Sequence, residues 1–153
     1  MKHFACLAAL GLLAFGAPNA FNGARAAQAR GQARPLDVGP GQPLRRVLLD
    51  ALRQRLQADV GQPVQFVVHR LRMQGDWAFY AGDIQTPSGR PIDFRRTRYA
   101  ERVADGTFDG PSTVALLRRT GGRWRVVAFA VGATDVAEAG WPEEHGVPQA
   151  LVE

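Results

Sequence analysis

The chain has 153 residues, of which 46% are hydrophobic and 22% charged, and its formal net charge is +5. It is too short for two sizeable hydrophobic cores and too apolar for a wholly disordered protein, which indicates one ordinary domain. The single cysteine excludes a disulfide scaffold, and the mixed composition excludes a collagen-like fibre.

The N-terminal residues have the features of a secretory signal peptide. Lys2 precedes an apolar run over residues 4–17, and residues 24–26, Ala-Arg-Ala, offer a small-residue cleavage site, with a cut nearer Ala20 as the alternative. The apolar run is shorter than the roughly 20 residues of a membrane-spanning helix. We therefore expect residues 1–26 to be removed and the mature protein to be periplasmic or secreted, with no membrane span.

Cleavage at this site changes what the mature chain contains. It removes Cys6, the only cysteine, and Lys2, the only lysine, so that every remaining basic residue is an arginine. Guanidinium groups form forked hydrogen bonds with carboxylates and phosphates, although GC-rich codon usage is the simpler explanation of the bias. The chain lacks a basic stripe with interleaved aromatic residues, and export argues against a nucleic-acid partner.

A flexible leader and one helix are predicted to follow. Residues 27–42 are rich in Gly, Pro and small polar residues and have no apolar period, which is typical of a leader. Residues 43–59 have apolar side chains at three- and four-residue spacing, which predicts an amphipathic helix. Pro43 suits its first turn, and Gly61 and Pro63 end it.

The next pattern predicts an antiparallel hairpin. Residues 64–73 are rich in β-branched side chains and alternate, but the apolar positions shift from even to odd near Val67, which a β-bulge explains. Gln74, Gly75 and Asp76 then form a turn into an aromatic strand over residues 77–81.

The second half of the chain combines a long connection, a second hairpin and a tail. Residues 83–109 contain Pro, Gly and many charges, with weak helical spacing only over residues 97–105; such long connections are usually functional or mobile. Two strand patterns flank Gly121-Gly122, which predicts a hairpin. Asp135 and Glu138 have the spacing of a capping box that opens a short helix near residues 135–140.

This order predicts an α+β fold for residues 43–153. One N-terminal amphipathic helix packs on a four-stranded antiparallel sheet, and a short helical tail follows.

Residues 115–127, in which Gly121-Gly122 precedes Trp124 and two aliphatic residues, resemble the hairpin near the end of many cystatin-like and NTF2-like α+β rolls. The whole chain, with its segments 75–79 and 132–137, also resembles small exported bacterial proteins. The resemblance implies a cystatin-like roll, because NTF2-like proteins have several helices before the sheet and this chain has one.

The sequence contains no catalytic motif, no metal-ligand spacing and no phosphate-binding loop. The mature chain retains only His69 and His145, which lie far apart, so we expect no metal and no cofactor. Ser88 and Ser112 lack a nucleophile motif. An acid–base site remains an open alternative, although capping of turns and helices explains Asp109 at least as well and Asp135 much better. Its candidate residues are Asp93, Asp109 and Asp135 as acids, with Tyr80 or Tyr99 as a donor.

The candidate binding residues lie in the long connection and the tail. Four arginines fall within nine positions, beside Phe94 and Tyr99, and such a cluster can bind carboxylates or phosphates. A solvated charged loop, balanced by neighbouring acidic residues, is the alternative. Trp141, which precedes Pro142, can cover the sheet or anchor a partner. The predicted binding residues are Arg90, Arg95, Arg96, Arg98, Tyr99 and Trp141.

Together these features indicate an exported, non-catalytic domain that binds a protein or an anionic cell-envelope component. The alternative is a small NTF2-like ligand-binding protein or enzyme with a pocket between the helix and the sheet. A third hypothesis is a purely structural domain that is tethered by its leader. The sequence does not determine the oligomeric state.

Overall fold

The structure is a computed structural model, and it describes residues 34–153. The predicted signal peptide, residues 1–26, and the first part of the predicted leader lie outside the described residues. No helix within residues 34–153 is both long enough and apolar enough to cross a membrane.

The described residues form an antiparallel sheet of five strands in chain order, with one long helix and a C-terminal tail. The predicted α+β class is confirmed. The strands are β1 (Leu36–Asp37), β2 (Gln65–Gln74), β3 (Trp77–Gln85), β4 (Ser112–Thr120) and β5 (Arg123–Val131). The helices are α1 (Pro43–Val60), α2 (Ala100–Ala104), α3 (Trp141–His145) and α4 (Gln149–Val152), with 3₁₀ turns at Phe94–Arg96 and Ala137–Gly140.

The predicted count of four strands was wrong by one, because β1 lies within the segment predicted as a leader. Leu36 pairs with Met73 and Asp37 with Arg72. Two residues cannot show an alternating pattern, so the strand has no sequence signal. It forms because Val38 is buried next to it and its N–H donates to the carbonyl of Leu71 at 2.8 Å.

Helix α1 matches its prediction to within one residue. Leu48, Leu52 and Leu56 are fully buried against the sheet, as their four-residue spacing requires. The helix ends at Gly61, which has a φ of 68° and donates its N–H to the carbonyl of Gln57 at 2.9 Å. A left-handed residue at this position favours glycine.

The predicted bulge in β2 is also confirmed. Val68 pairs with Gly82 and Arg70 with Ala81, so His69 is the extra residue. Before the bulge Phe66 and Val68 face α1, and after it Leu71 faces α1. One inserted residue therefore keeps apolar side chains on the same face although their parity changes.

The sheet buries residues on both faces. The helix face, covered by α1 and by the β3–β4 connection, forms the main core. The tail face, covered by residues 137–153, forms a second core of Phe79, Leu116, Trp141, Val147, Leu151 and Val152. The tail is thus part of the fold.

The predicted capping box in the tail is absent. The residue before the 3₁₀ turn Ala137–Gly140 is Val136, which makes no side-chain cap, and Asp135 lies one position earlier. Helix α3 begins at Trp141-Pro142, where a proline suits the first turn. The hydrophobic docking of Trp141, rather than a polar cap, sets the path of the chain here.

Candidate functional site

The long connection between β3 and β4, residues 86–111, is called the excursion here, and it is anchored by aromatic packing. The ring centroids of Phe94 and Phe108 are 4.6 Å apart, and those of Tyr99 and Phe108 are 5.3 Å apart. Ile92, Phe94 and Tyr99 belong to the main core. The helical spacing predicted over residues 97–105 corresponds to α2. The excursion is therefore packed onto the main core, and its polar residues belong to a segment that this packing holds in place.

A buried carboxylate at the end of α1 fastens the excursion to the helix. The side chain of Asp59 is 1% exposed, and it accepts hydrogen bonds from the Tyr99 hydroxyl and from Nη1 of Arg98, the latter at 2.9 Å. Burial raises the pKa of Tyr99 above its usual value, and the hydrogen bond to Asp59 and its negative charge raise it further. In this structure Arg98 and Tyr99 hold the excursion in place.

All four predicted arginines lie at the surface, because the Arg98 side chain is also 67% exposed. Arg90, Arg95 and Arg96 are exposed, and none of them forms an ion pair with any residue of the described part of the chain. The carboxylate of Asp93 accepts a hydrogen bond from the backbone N–H of Arg95 at 3.3 Å, which caps the 3₁₀ turn. That turn places Arg95 and Arg96 next to each other on the outer side of the excursion.

Trp141 lies on the tail face, away from the arginines. It is 5% exposed and packs edge-to-face on Phe79, with ring centroids 6.3 Å apart. The structure brings Arg98 and Tyr99 together at Asp59, but it separates Trp141 from them by the thickness of the sheet. The six predicted residues therefore do not form one continuous surface.

The candidate acid–base residues are distributed over separate turns. Asp93 caps the 3₁₀ turn, and the backbone of Asp109 bonds to Gly132 at 3.0 Å. The Tyr80 hydroxyl donates to the carbonyl of Asp83 at 3.1 Å, and burial, followed by the charge of Asp83, raises the pKa of Tyr80.

The two histidines also lie apart. His69 at the bulge faces Asp83 at 3.5 Å, with both side chains partly exposed, and His145 faces Glu144 at 3.9 Å in the tail. Among residues 34–153, no three His, Cys, Asp or Glu side chains are grouped so that they could hold a metal ion.

Side chains fill the space between α1 and the sheet, where a ligand pocket was the alternative prediction. Leu48, Leu52 and Leu56 from the helix meet Tyr80 and Leu117 from the sheet, and all five are fully buried. The grooves around α1 are open to solvent. One of about 730 Å³ runs along the outer side of the helix, lined by Arg45, Arg46 and Arg53 among others.

The sequence predictions missed a second group of arginines on the β4–β5 hairpin. Arg118 pairs with Trp77 on one side and with Arg125 on the other, so these three residues form one row on the tail face. The guanidinium of Arg118 lies 4.9 Å from the Trp77 ring centroid, and Arg123 follows on the same face. The sequence could have predicted this row, because the two-residue Gly121-Gly122 turn fixes which residues of β4 and β5 lie opposite each other.

Comparison with protein-family models, with curated proteins and with solved structures found no match to this chain.

Proposed function

We propose that this chain is an exported, non-catalytic binding domain that recognises anionic groups on a protein or a cell-envelope component. Arg90, Arg95 and Arg96 of the excursion form its contact surface. The proposal is carried by one observation: a packed excursion exposes three guanidinium groups that have no ion-pair partner among the described residues. Such groups can bind carboxylate or phosphate without first breaking an internal pair.

The packing of the core favours binding at the surface over binding in a pocket. A ligand between α1 and the sheet would have to displace fully buried leucines and Tyr80. Removing such side chains from a core costs several kcal/mol, typically about 2–5 for one leucine. The outer surface of the excursion is open and requires no such rearrangement.

The surface is tested by capture of partners from a cell-envelope fraction. We expect the R95A/R96A variant to bind roughly tenfold more weakly than the wild type at low salt, since each exposed charged contact contributes up to about 1 kcal/mol. The matched control is R34A/R46A, which removes two exposed arginines elsewhere and lowers the net charge equally. Equal loss in both variants would show that net charge alone drives binding.

Arg98 is left out of this test because it pairs with the buried Asp59. Replacing it would disturb the anchoring of the excursion as well as the surface.

Export is tested separately by cell fractionation and by the intact mass of the recovered protein. We expect a periplasmic or secreted protein that lacks residues 1–26. Recovery of an intact chain from the cytoplasm would contradict this part of the proposal.

A further inference from the structure

Strand β5 forms an open edge of the sheet. It pairs with β4 on one side, and among residues 34–153 no strand pairs with its other side. A register shift between Leu116 and Leu117 places a bulge at Val127, which is 42% exposed. The bulge leaves residues 123–126 as a regular stretch of unpaired strand edge, which is a template for pairing with another extended chain.

The tail-face side chains of this stretch are positively charged. Arg123 and Arg125 are exposed and alternate along the strand, and Arg125 lies directly opposite Arg118 on β4. Like charges at directly opposed positions of an antiparallel pair are destabilising. None of the three arginines has an ion-pair partner within the described chain.

The other side of the same stretch borders a groove. Trp124 and Val126 face α1, and a groove of about 290 Å³ lies between them and Ala51 and Ala58 of the helix. Gln54, Arg55 and Arg125 also line this groove, so its walls combine apolar and polar groups. An extended chain placed at the β5 edge would direct alternate side chains into the groove and toward the arginines.

We propose that the edge of β5 at residues 123–126 binds an extended acidic segment of a partner protein by strand addition. Carboxylates at alternate positions of that segment lie beside Arg123 and Arg125, and the intervening apolar side chains enter the groove beside Ala51 and Ala58. Main-chain hydrogen bonds supply affinity, and the alternating side chains supply specificity. An acidic neighbour also relieves the repulsion between Arg118 and Arg125. This surface is separate from the excursion and does not depend on the function proposed above.

Charge distinguishes this occupant from a second copy of the chain. In a symmetric antiparallel pair of β5 edges centred on Trp124, Arg123 of each copy faces Arg125 of the other. Such a pair adds like-charge contacts to those already present, whereas an acidic segment replaces them with opposite-charge contacts.

In the experiment, the protein is titrated with a short peptide in which Glu and Val alternate, and the backbone amide signals of the protein are monitored by NMR. We expect chemical-shift changes at residues 123–131. The R123A/R125A variant should bind roughly tenfold more weakly, because two cross-strand charge pairs are lost. R34A/R46A should bind as the wild type does, and both variants should keep the wild-type circular dichroism spectrum, since all four arginines are exposed.

Two altered peptides and one membrane probe complete the test. A Gln–Val peptide should bind weakly, and a peptide with alternate backbone amides methylated should not bind. Equal binding of the methylated peptide would overturn strand addition, and equal binding of the Gln–Val peptide would overturn the role of the arginines. Binding of phosphatidylglycerol vesicles through Arg123 and Arg125 without peptide binding, or a wild-type dimer that blocks the peptide, would assign the edge to a different occupant and overturn the proposal.

Discussion

At the scale of single residues, Asp59 connects parts of the chain that are about forty positions apart. Its buried carboxylate accepts hydrogen bonds from Tyr99 and Arg98, and Arg55 lies 4.0 Å away on the same helix. The sequence could predict that Arg98 and Tyr99 belong to a polar cluster, but not that a carboxylate of α1 holds them. Pairing between residues so far apart depends on how the excursion packs against α1, and a local sequence pattern does not predict that packing.

Replacing Asp59 by Ala should destabilise the protein by about 2–3 kcal/mol, because the buried Tyr99 hydroxyl loses its acceptor and Arg98 its partner. The expected fall in melting temperature is roughly 8–12 °C. Asp50→Ala is the matched control on the same helix, since the side chain of Asp50 is 57% exposed and pairs with the neighbouring Arg53, and it should cost less than about 1 kcal/mol. Equal melting temperatures of the two variants would contradict the anchoring role of Asp59.

The two tyrosines of the chain give a prediction on pH. Burial raises the pKa of both Tyr80 and Tyr99 above about 10, the value of an exposed phenol. The folded state therefore favours the protonated phenols, so their contribution to stability is complete below about pH 10 and is lost as the pH rises further. An ultraviolet titration should show phenolate appearing only with unfolding, whereas both groups should titrate near pH 10 in concentrated guanidinium chloride. Phenolate formation near pH 10 in the folded protein would be the opposite result.

At the scale of elements, the bulge in β2 depends on a close backbone approach. A Cβ atom on Gly82 would lie 2.2 Å from the carbonyl oxygen of Val67 and 2.7 Å from the Tyr80 hydroxyl. The sequence predicted the bulge because apolar parity changes along β2. It did not predict the need for glycine on the neighbouring strand, because that need arises only once the strands are paired.

Gly82→Ala should therefore destabilise the protein by about 2–3 kcal/mol through this overlap. Gly39→Ala is the control, because among residues 34–153 a Cβ there would approach only the Gln42 side chain, at 3.9 Å, and Gly39 does not have a positive φ. That substitution should leave stability unchanged or raise it by less than about 1 kcal/mol. Denaturant unfolding of both variants measures the difference, and similar midpoints would refute the close approach at Gly82.

The tail is the element that the sequence predicted least well. Helix α1 and both hairpins follow from periodicity and turn residues, which act locally. The tail consists of short helices between prolines. Its position depends on contacts of Trp141 and Leu151 with the tail face of the sheet, where Phe79 and Leu116 lie. Those contacts are tertiary and leave no period in the sequence.

Leu151→Ala tests the docking of the tail. Leu151 is fully buried in the second core, so its truncation should cost about 2–4 kcal/mol. The control is Val136→Ala, whose side chain is 69% exposed, and it should cost less than about 0.5 kcal/mol. If thermal unfolding does not separate the two variants, the tail does not stabilise the sheet.

At the scale of the whole molecule, the sheet divides two arginine surfaces. The excursion presents Arg90, Arg95 and Arg96 near the end of α1, and the β4–β5 hairpin presents Arg118, Arg123 and Arg125 on the tail face. The chain has 14 acidic residues, all within the described part, and those that pair with an arginine there use other arginines. Both cores are filled by side chains, so recognition by this protein is expected at its surface.

The measurement that tests this most directly is hydrogen exchange of the protein alone and with a cell-envelope fraction, read by mass spectrometry. The proposed function predicts slower exchange in peptides from residues 86–99 on binding, and no such slowing in the R95A/R96A variant. Slower exchange at residues 123–131 would independently indicate binding at the edge of β5. If the protein binds a component of the envelope fraction but hydrogen exchange in the excursion does not change, the proposed function is contradicted.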